Sequence, residues 1–231
     1  LSYETIKRTR RFLSNDNMDK RIVTTDTQTN KLPDEFYTGT DVTDIAVQLL
    51  GKQLFTRING ELTGGIIVET EAYNGITDKA SHAYGGRLTN RTKTMYETGG
   101  KAYVYLCYGI HYLFNVVTGP KDTPHAVLIR GIEPVVGLDV MLCRRNMSTL
   151  KPGVSAGPGT LSQALGISKE LNGSNLTGNE IWIEDNGLTI PSDEVVSGNR
   201  IGVAYAEEDA FLPWRYYIKG NKFVSKPNSF T

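Results

Sequence analysis

Asn59-Gly60 stands between two strand-like runs, Gln53 to Ile58 and Glu61 into Val68 and Glu69, and it constrains the fold more than any other feature of the chain. Both central residues of a type I′ turn need positive φ, which Asn and Gly tolerate, and that turn matches the twist of an antiparallel ribbon. A β-hairpin is therefore expected here, with Gly64-Gly65 marking a bulge in its return strand. A second hairpin follows: Lys101 to Leu106 alternates, Tyr108 and Gly109 mark a turn, and Tyr112 to Val117 returns.

Helical signals lie between these ribbons. Asp41 can cap a helix with Val42, Ile45, Ala46 and Leu49 on one stripe, stopped by Gly51. Pro134 to Met147 has helical spacing, and Gly157-Pro158-Gly159 opens a helix carrying Leu161, Ala164 and Leu165. Short strands are expected at Ala126 to Ile129, Ile181 to Ile183, Leu188 to Ile190, Ile201 to Tyr205 and Tyr216 to Ile218. Hairpins with interspersed helices predict an α+β fold, a single mixed domain of antiparallel hairpins and packed helices. Residues 1–31 are polar and aperiodic, with Lys7, Arg8, Arg10 and Arg11 forming a basic arm or a helical turn. They read as a peripheral tail before a domain over 32–231.

Composition narrows the class. The chain has 231 residues, 39% hydrophobic and 22% charged, enough for a core that needs no disulfide or metal staple. Cys107 and Cys143 sit in apolar surroundings without ligand spacing, so reduced thiols in a reducing compartment are expected. His82, His111 and His125 are too scattered for zinc, and neither metal nor cofactor is expected. No run approaches the ~18 apolar residues of a membrane span, and no signal-peptide pattern opens the chain. An intracellular monomer without a membrane partner is expected, in the cytoplasm or nucleoid of a bacterium or the nucleus of a eukaryote.

Net charge is zero, which argues against a generally basic nucleic-acid binder, yet the distribution is uneven. Arg87, Arg91, Lys93 and Lys101 face only Glu97 between Ala83 and Asn115. Between Asn179 and Ala210, Glu180, Glu184, Asp185, Asp193, Glu194, Glu207, Glu208 and Asp209 outnumber Arg200. Either this is ordinary solvated charge, or one face attracts phosphate while another repels it.

Glu69 and Glu71 share one face of a strand. Two such carboxylates are either a solvated edge or the acid/base equipment that cleaves acetal-like bonds. His82, in the small-residue loop Ala80-Ser81-His82-Ala83, is either structural or functional. Tyr73, Tyr103, Tyr105, Tyr108 and Tyr112 are either β-propensity and core packing or a stacking platform for flat bases. Tyr108, at a hairpin tip beside Gly109 with basic residues near, can also wedge into a base stack. Arg130 ends an apolar strand and either grips a phosphate or pairs with Glu133. Gly157-Pro158-Gly159 before a helix offers exposed N–H groups to an anion.

In order, these pieces resemble the alkyladenine (3-methyladenine) DNA glycosylase family. The matching stretches are Val68-Glu69-Thr70-Glu71-Ala72-Tyr73, Ala80-Ser81-His82, Ala102 to Gly109, Leu113 to Val117, Val127 to Pro134, Gly157 to Leu161, Arg200 to Val203 and Pro213-Trp214-Arg215-Tyr216. They span about Leu32 to Ser225. The resemblance implies base excision repair: damaged purines of the 3-methyladenine, hypoxanthine and ethenoadenine class are flipped out of double-stranded DNA and hydrolysed off the sugar. It implies Glu71 as the general base for water and Arg130 beside that water and the target phosphate. Tyr73, Ala80, His82, Tyr105 and Asn115 then line the pocket, with Asn115 crowding the exocyclic amine of guanine. Tyr108 intercalates from a protruding hairpin. No lysine occupies a matched catalytic position, so no Schiff base or strand-cutting step is expected. Two rivals stay open: a nucleoside or glycoside hydrolase using both glutamates, and a nucleic-acid-binding module without catalysis.

Overall fold

The computed structural model describes residues 30–225. The basic stretch Lys7 to Arg11 lies outside the described residues, as does most of the expected tail. Lys31, taken above as tail, forms a bridge to Glu184 and donates to Asn179 Oδ1 at 2.9 Å.

Among the described residues, eight strands form one antiparallel sheet flanked by short helices, an α+β domain. Strand β1 (Gln53–Ile58) and the long β2 (Glu61–Asn74) make the first hairpin, with Asn59 at φ 53° and Gly60 at 84°. Strands β3 (Ala102–Cys107) and β4 (His111–Thr118) make the second. The order runs β3-β4, then β5 (His125–Val136), β2, β1 and β6 (Ile181–Glu184). One edge of β2 serves two neighbours. Residues 61–66 pair with β1, and Glu69–Glu71 pair with β8 (Arg215–Ile218), which in turn pairs with β7 (Val195–Gly198).

Helix α1 (Asp34–Tyr37) precedes α2 (Val42–Gln48), which Asp41 caps by accepting from Thr43 N at 2.8 Å. With α3 (Leu138–Arg144) and α4 (Pro158–Leu165), α2 covers the sheet face bearing Ile67, Ala72, Phe114, Val116, Val127 and Ile129, the main core. Strand alternation turns Glu71, Tyr73, Asn115, Ala126 and Leu128 the other way.

Three expectations differ. The Pro134–Met147 run is helical only from Leu138, because β5 continues to Val136 and Gly137, at φ 69°, breaks the chain between them. Leu188 to Ile190 forms no strand, and Ile201 to Tyr205 is a bend leading into 3-10 turns. Gly187, at φ 78°, turns the chain just before the first run, and Gly202, also at 78°, breaks the second.

Candidate active site

The cleft lies on the face opposite the main core. Register alone assembles its floor: Glu71 on β2 opposes Leu128 on β5, Leu128 opposes Asn115 on β4, and Asn115 opposes Tyr103 on β3. A single transverse row of the sheet thus carries four site residues, fixed by backbone hydrogen bonds. The cleft above encloses about 730 Å³. Tyr73, Ala80, His82, Tyr105, Tyr108, Asn115 and Arg130, all singled out from the sequence, line it together.

Glu71 is the exception. It is fully buried and sits behind the lining residues Tyr73, Arg130 and Ile201. Its Oε2 accepts the Tyr73 hydroxyl at 2.9 Å and Arg130 NH1 at 3.2 Å, while Oε1 accepts Ile201 N–H at 2.7 Å. A carboxylate offers about four acceptor directions, so one remains for a water. Burial, and next the Glu71 charge, push the Tyr73 hydroxyl well above the ordinary phenol range, so it stays a donor.

A double irregularity aims Arg130. Between Ile67 and Thr70 the pairing of β2 with β5 passes over Val68 on one strand and Arg130 on the other. Such bulges redirect a side chain, and this one sends the buried Arg130 between both glutamates, its Nε 3.0 Å from Glu69 Oε1. Burial alone would lower the Arg130 pKa, but Glu71 and then Glu69 outweigh it and raise it. The alternative pairing with Glu133 does not form; Glu133 accepts from Asn221 Nδ2 at 2.8 Å instead. Arg130 thus sits in a buried network and still lines the cleft.

Glu69 shares the face and the burial of Glu71 but not its spare acceptor direction. Its Oε1 accepts from Arg130, from Arg215 Nε at 2.6 Å and from Ser225 Oγ at 2.8 Å, and its Oε2 accepts Ser225 N–H at 2.6 Å. With those four directions taken, Glu69 has no acceptor left for a water or substrate, and the two-glutamate acid/base reading loses its second member. Arg215 and Ser225 escaped sequence reasoning, since nothing local links either to β2.

On the far wall, His82 Nδ1 lies 2.9 Å from Tyr103 Oη, and the His82 ring meets Tyr105 edge to face with centroids 4.6 Å apart. Burial, then Arg91 and Arg87, push the imidazole down to about 4, leaving it neutral near pH 7. Asn115 Nδ2 donates to Tyr103 O at 3.1 Å, locking the amide beneath the aromatic wall. Arg200, buried and paired with Asp78, lies between the rings of Tyr73 and Trp214 at 4.9 and 5.1 Å. It thereby fixes Tyr73 and the backbone that offers Ile201 N–H.

At the mouth, Tyr108 is 91% exposed and held at φ 51°, followed by Gly109 at 71°. A bulky residue in the left-handed region costs about 1 kcal/mol or more, and no burial offsets it here. Tyr205 stands at the same mouth, its hydroxyl donating to Ala80 O at 3.1 Å. The Ala156–Thr160 segment, including the expected Gly157-Pro158-Gly159, lines another side.

Among the described residues, no group of three or more His, Cys, Asp or Glu is arranged to hold a metal ion. No described helix is long and apolar enough to cross a membrane.

Residues 35–222 match the family model described as methylpurine-DNA glycosylase. A Clostridium perfringens (strain 13 / Type A) protein is 47% identical over 204 residues, 85% of this chain and 99% of that protein. A Chlamydia felis protein is 47% identical over 193 residues, 83% and 97% respectively, and one from Bacillus cereus (strain G9842) is 44% identical over 206 residues, 84% and 98%. All three bear the name "Putative 3-methyladenine DNA glycosylase".

Proposed function

The chain belongs to the methylpurine-DNA glycosylase family, hydrolases of N-glycosyl bonds in damaged DNA, and from that premise we propose how this member works. It acts as a monofunctional, monomeric enzyme on double-stranded DNA and flips an alkylated or deaminated purine into the cleft. Substrates are of the 3-methyladenine, hypoxanthine and ethenoadenine class. Tyr73, His82 and Tyr105 flank the flipped base, Ala80 and Asn115 bound it, and Tyr108 fills the gap left in the duplex. A water on the remaining acceptor direction of Glu71 attacks the sugar carbon. The bond from that carbon to the purine breaks, the electron pair leaves with the base, and the water proton passes to Glu71.

The single observation that supports this best is the Glu71 environment. A fully buried carboxylate held by Tyr73, Arg130 and Ile201 is oriented to accept a proton from water beside the developing oxocarbenium charge. Arg130 orients Glu71 and lies in the cleft wall beside the reacting centre. Damaged or mispaired bases cost least to unstack, which favours lesions before any contact discriminates among them.

The test uses duplex oligonucleotides carrying one 3-methyladenine, hypoxanthine or ethenoadenine, with alkaline cleavage of the abasic product. The native protein should release at least one of these bases. Glu71→Gln should release it at least ~100-fold more slowly while still binding the lesion duplex. Near-normal release by Glu71→Gln would remove the general-base assignment.

A further inference from the structure

We propose that Arg91 is the resting occupant of the base cleft, leaving it when DNA phosphate offers its guanidinium another partner. The inference rests on reading the cleft as the base pocket. It concerns what fills that pocket before a base arrives.

Arg91 lines the cleft, and its guanidinium carbon lies 4.8 Å from the centroid of the Tyr105 ring. Its NH2 lies 3.3 Å from His82 Nε2. A guanidinium has only donors, so His82 Nε2 must be the acceptor. The imidazole proton then sits on Nδ1, where Tyr103 Oη is the partner at 2.9 Å. The depressed His82 pKa agrees with a neutral ring. A flat cation therefore covers the aromatic face and the imidazole lone pair that a flipped purine would use. Arg91 and a stacked base cannot share that space.

Arg91 is free to leave. Its side chain is exposed, and among the described residues no carboxylate lies within ion-pair distance of it. Its backbone stays put, because the neighbouring Thr92 is buried and its hydroxyl donates to Arg87 O at 2.8 Å. Only the side chain needs to swing. Arg87 and Lys93 are exposed beside it, so an approaching phosphate backbone meets a local cluster of positive charge. A free purine base brings no phosphate and must displace the guanidinium unaided. The pocket is then open to a base on DNA and closed to the same base released into solution, which limits inhibition by product.

The experiment measures binding of free hypoxanthine to the full chain by calorimetry, in the native protein and in Arg91→Ala, alongside the salt dependence of binding to undamaged duplex. A cation–π contact of this kind corresponds to roughly three- to thirtyfold in affinity. Arg91→Ala should therefore bind hypoxanthine on the order of tenfold more tightly. It should also lose about one unit of slope in log K against log salt. Equal or weaker hypoxanthine binding by Arg91→Ala, or no binding by either protein, overturns the proposal. If the native protein still releases bases from lesion duplexes, the glycosylase reading survives that failure. Absence of base release from every lesion duplex would defeat the glycosylase reading itself.

Discussion

Tyr73 donates its hydroxyl to Glu71 across 2.9 Å, from a position two residues further along the same face of one strand. Wall and base are thus mechanically joined. Tyr73→Phe removes this bond and leaves the ring. It should cost about 1 kcal/mol of stability and slow base release less than Glu71→Gln does, because Arg130 and Ile201 still hold the carboxylate. Single-turnover kinetics and thermal melting of both variants check the order. Equal loss of rate in the two would make the hydroxyl itself part of the chemistry.

Glu69→Gln should behave as a folding lesion. Glu69 neutralises Arg130 and Arg215 where all three are buried. Removing one partner of such a network costs about 3–5 kcal/mol, so the melting temperature should fall clearly below that of Glu71→Gln. Arg130→Ala should likewise lower stability and base release, yet leave the salt slope of DNA binding unchanged, since this arginine is buried. A slope reduced by one phosphate contact would return Arg130 to the DNA interface.

Tyr108→Gly should lose DNA chemistry without losing the fold. The ring is 91% exposed and the backbone sits at φ 51°, so glycine relieves about 1 kcal/mol of strain. The melting temperature should hold or rise slightly. Stopped-flow fluorescence of ethenoadenine in duplex should show a weaker flipped state; an unchanged flipping equilibrium would end the wedge assignment.

Acid should destabilise the protein partly through His82. The unfolded chain protonates this histidine near pH 6.5, whereas the folded protein does so only near 4. The unfolded state binds more protons within that window, so the stability held above it is lost as pH falls from about 6.5 to 4 and no further below. His125, also lowered by burial, adds the same sign. Nitrogen-15 NMR should find His82 neutral with its proton on Nδ1 at pH 5, a value chosen about one unit above its folded pKa. A protonated ring at that pH would contradict the geometry.

What the sequence made legible was local. Asn59-Gly60, the Asp41 cap and the hairpin around Tyr108-Gly109 each rest on chemistry within four or five residues. The shared face of Glu69 and Glu71 follows from strand alternation. The partners of Arg130 were not legible: Glu133 is three residues away, while the actual partners lie across the sheet and depend on paired register shifts in β2 and β5. Arg215 and Ser225 meet Glu69 only because one edge of β2 changes neighbours midway. The Ile201–Tyr205 run reads as a strand by composition, but its first N–H serves Glu71. Tyr108 carried a signal that local rules could flag, since a tyrosine before glycine at a tip fits no packing purpose.

The bond between Ser225 and Glu69 joins positions 156 residues apart. On a ribosome adding about 5–20 residues per second, roughly eight to thirty seconds separate the two ends of that bond. For that interval β2 exists without the partner that closes it. The support behind Arg130 is therefore completed only after the rest of the cleft lining has been made. A nascent chain stalled shortly before Ser225 would carry every residue that lines the cleft except this one, yet hold its arginine on a half-built support.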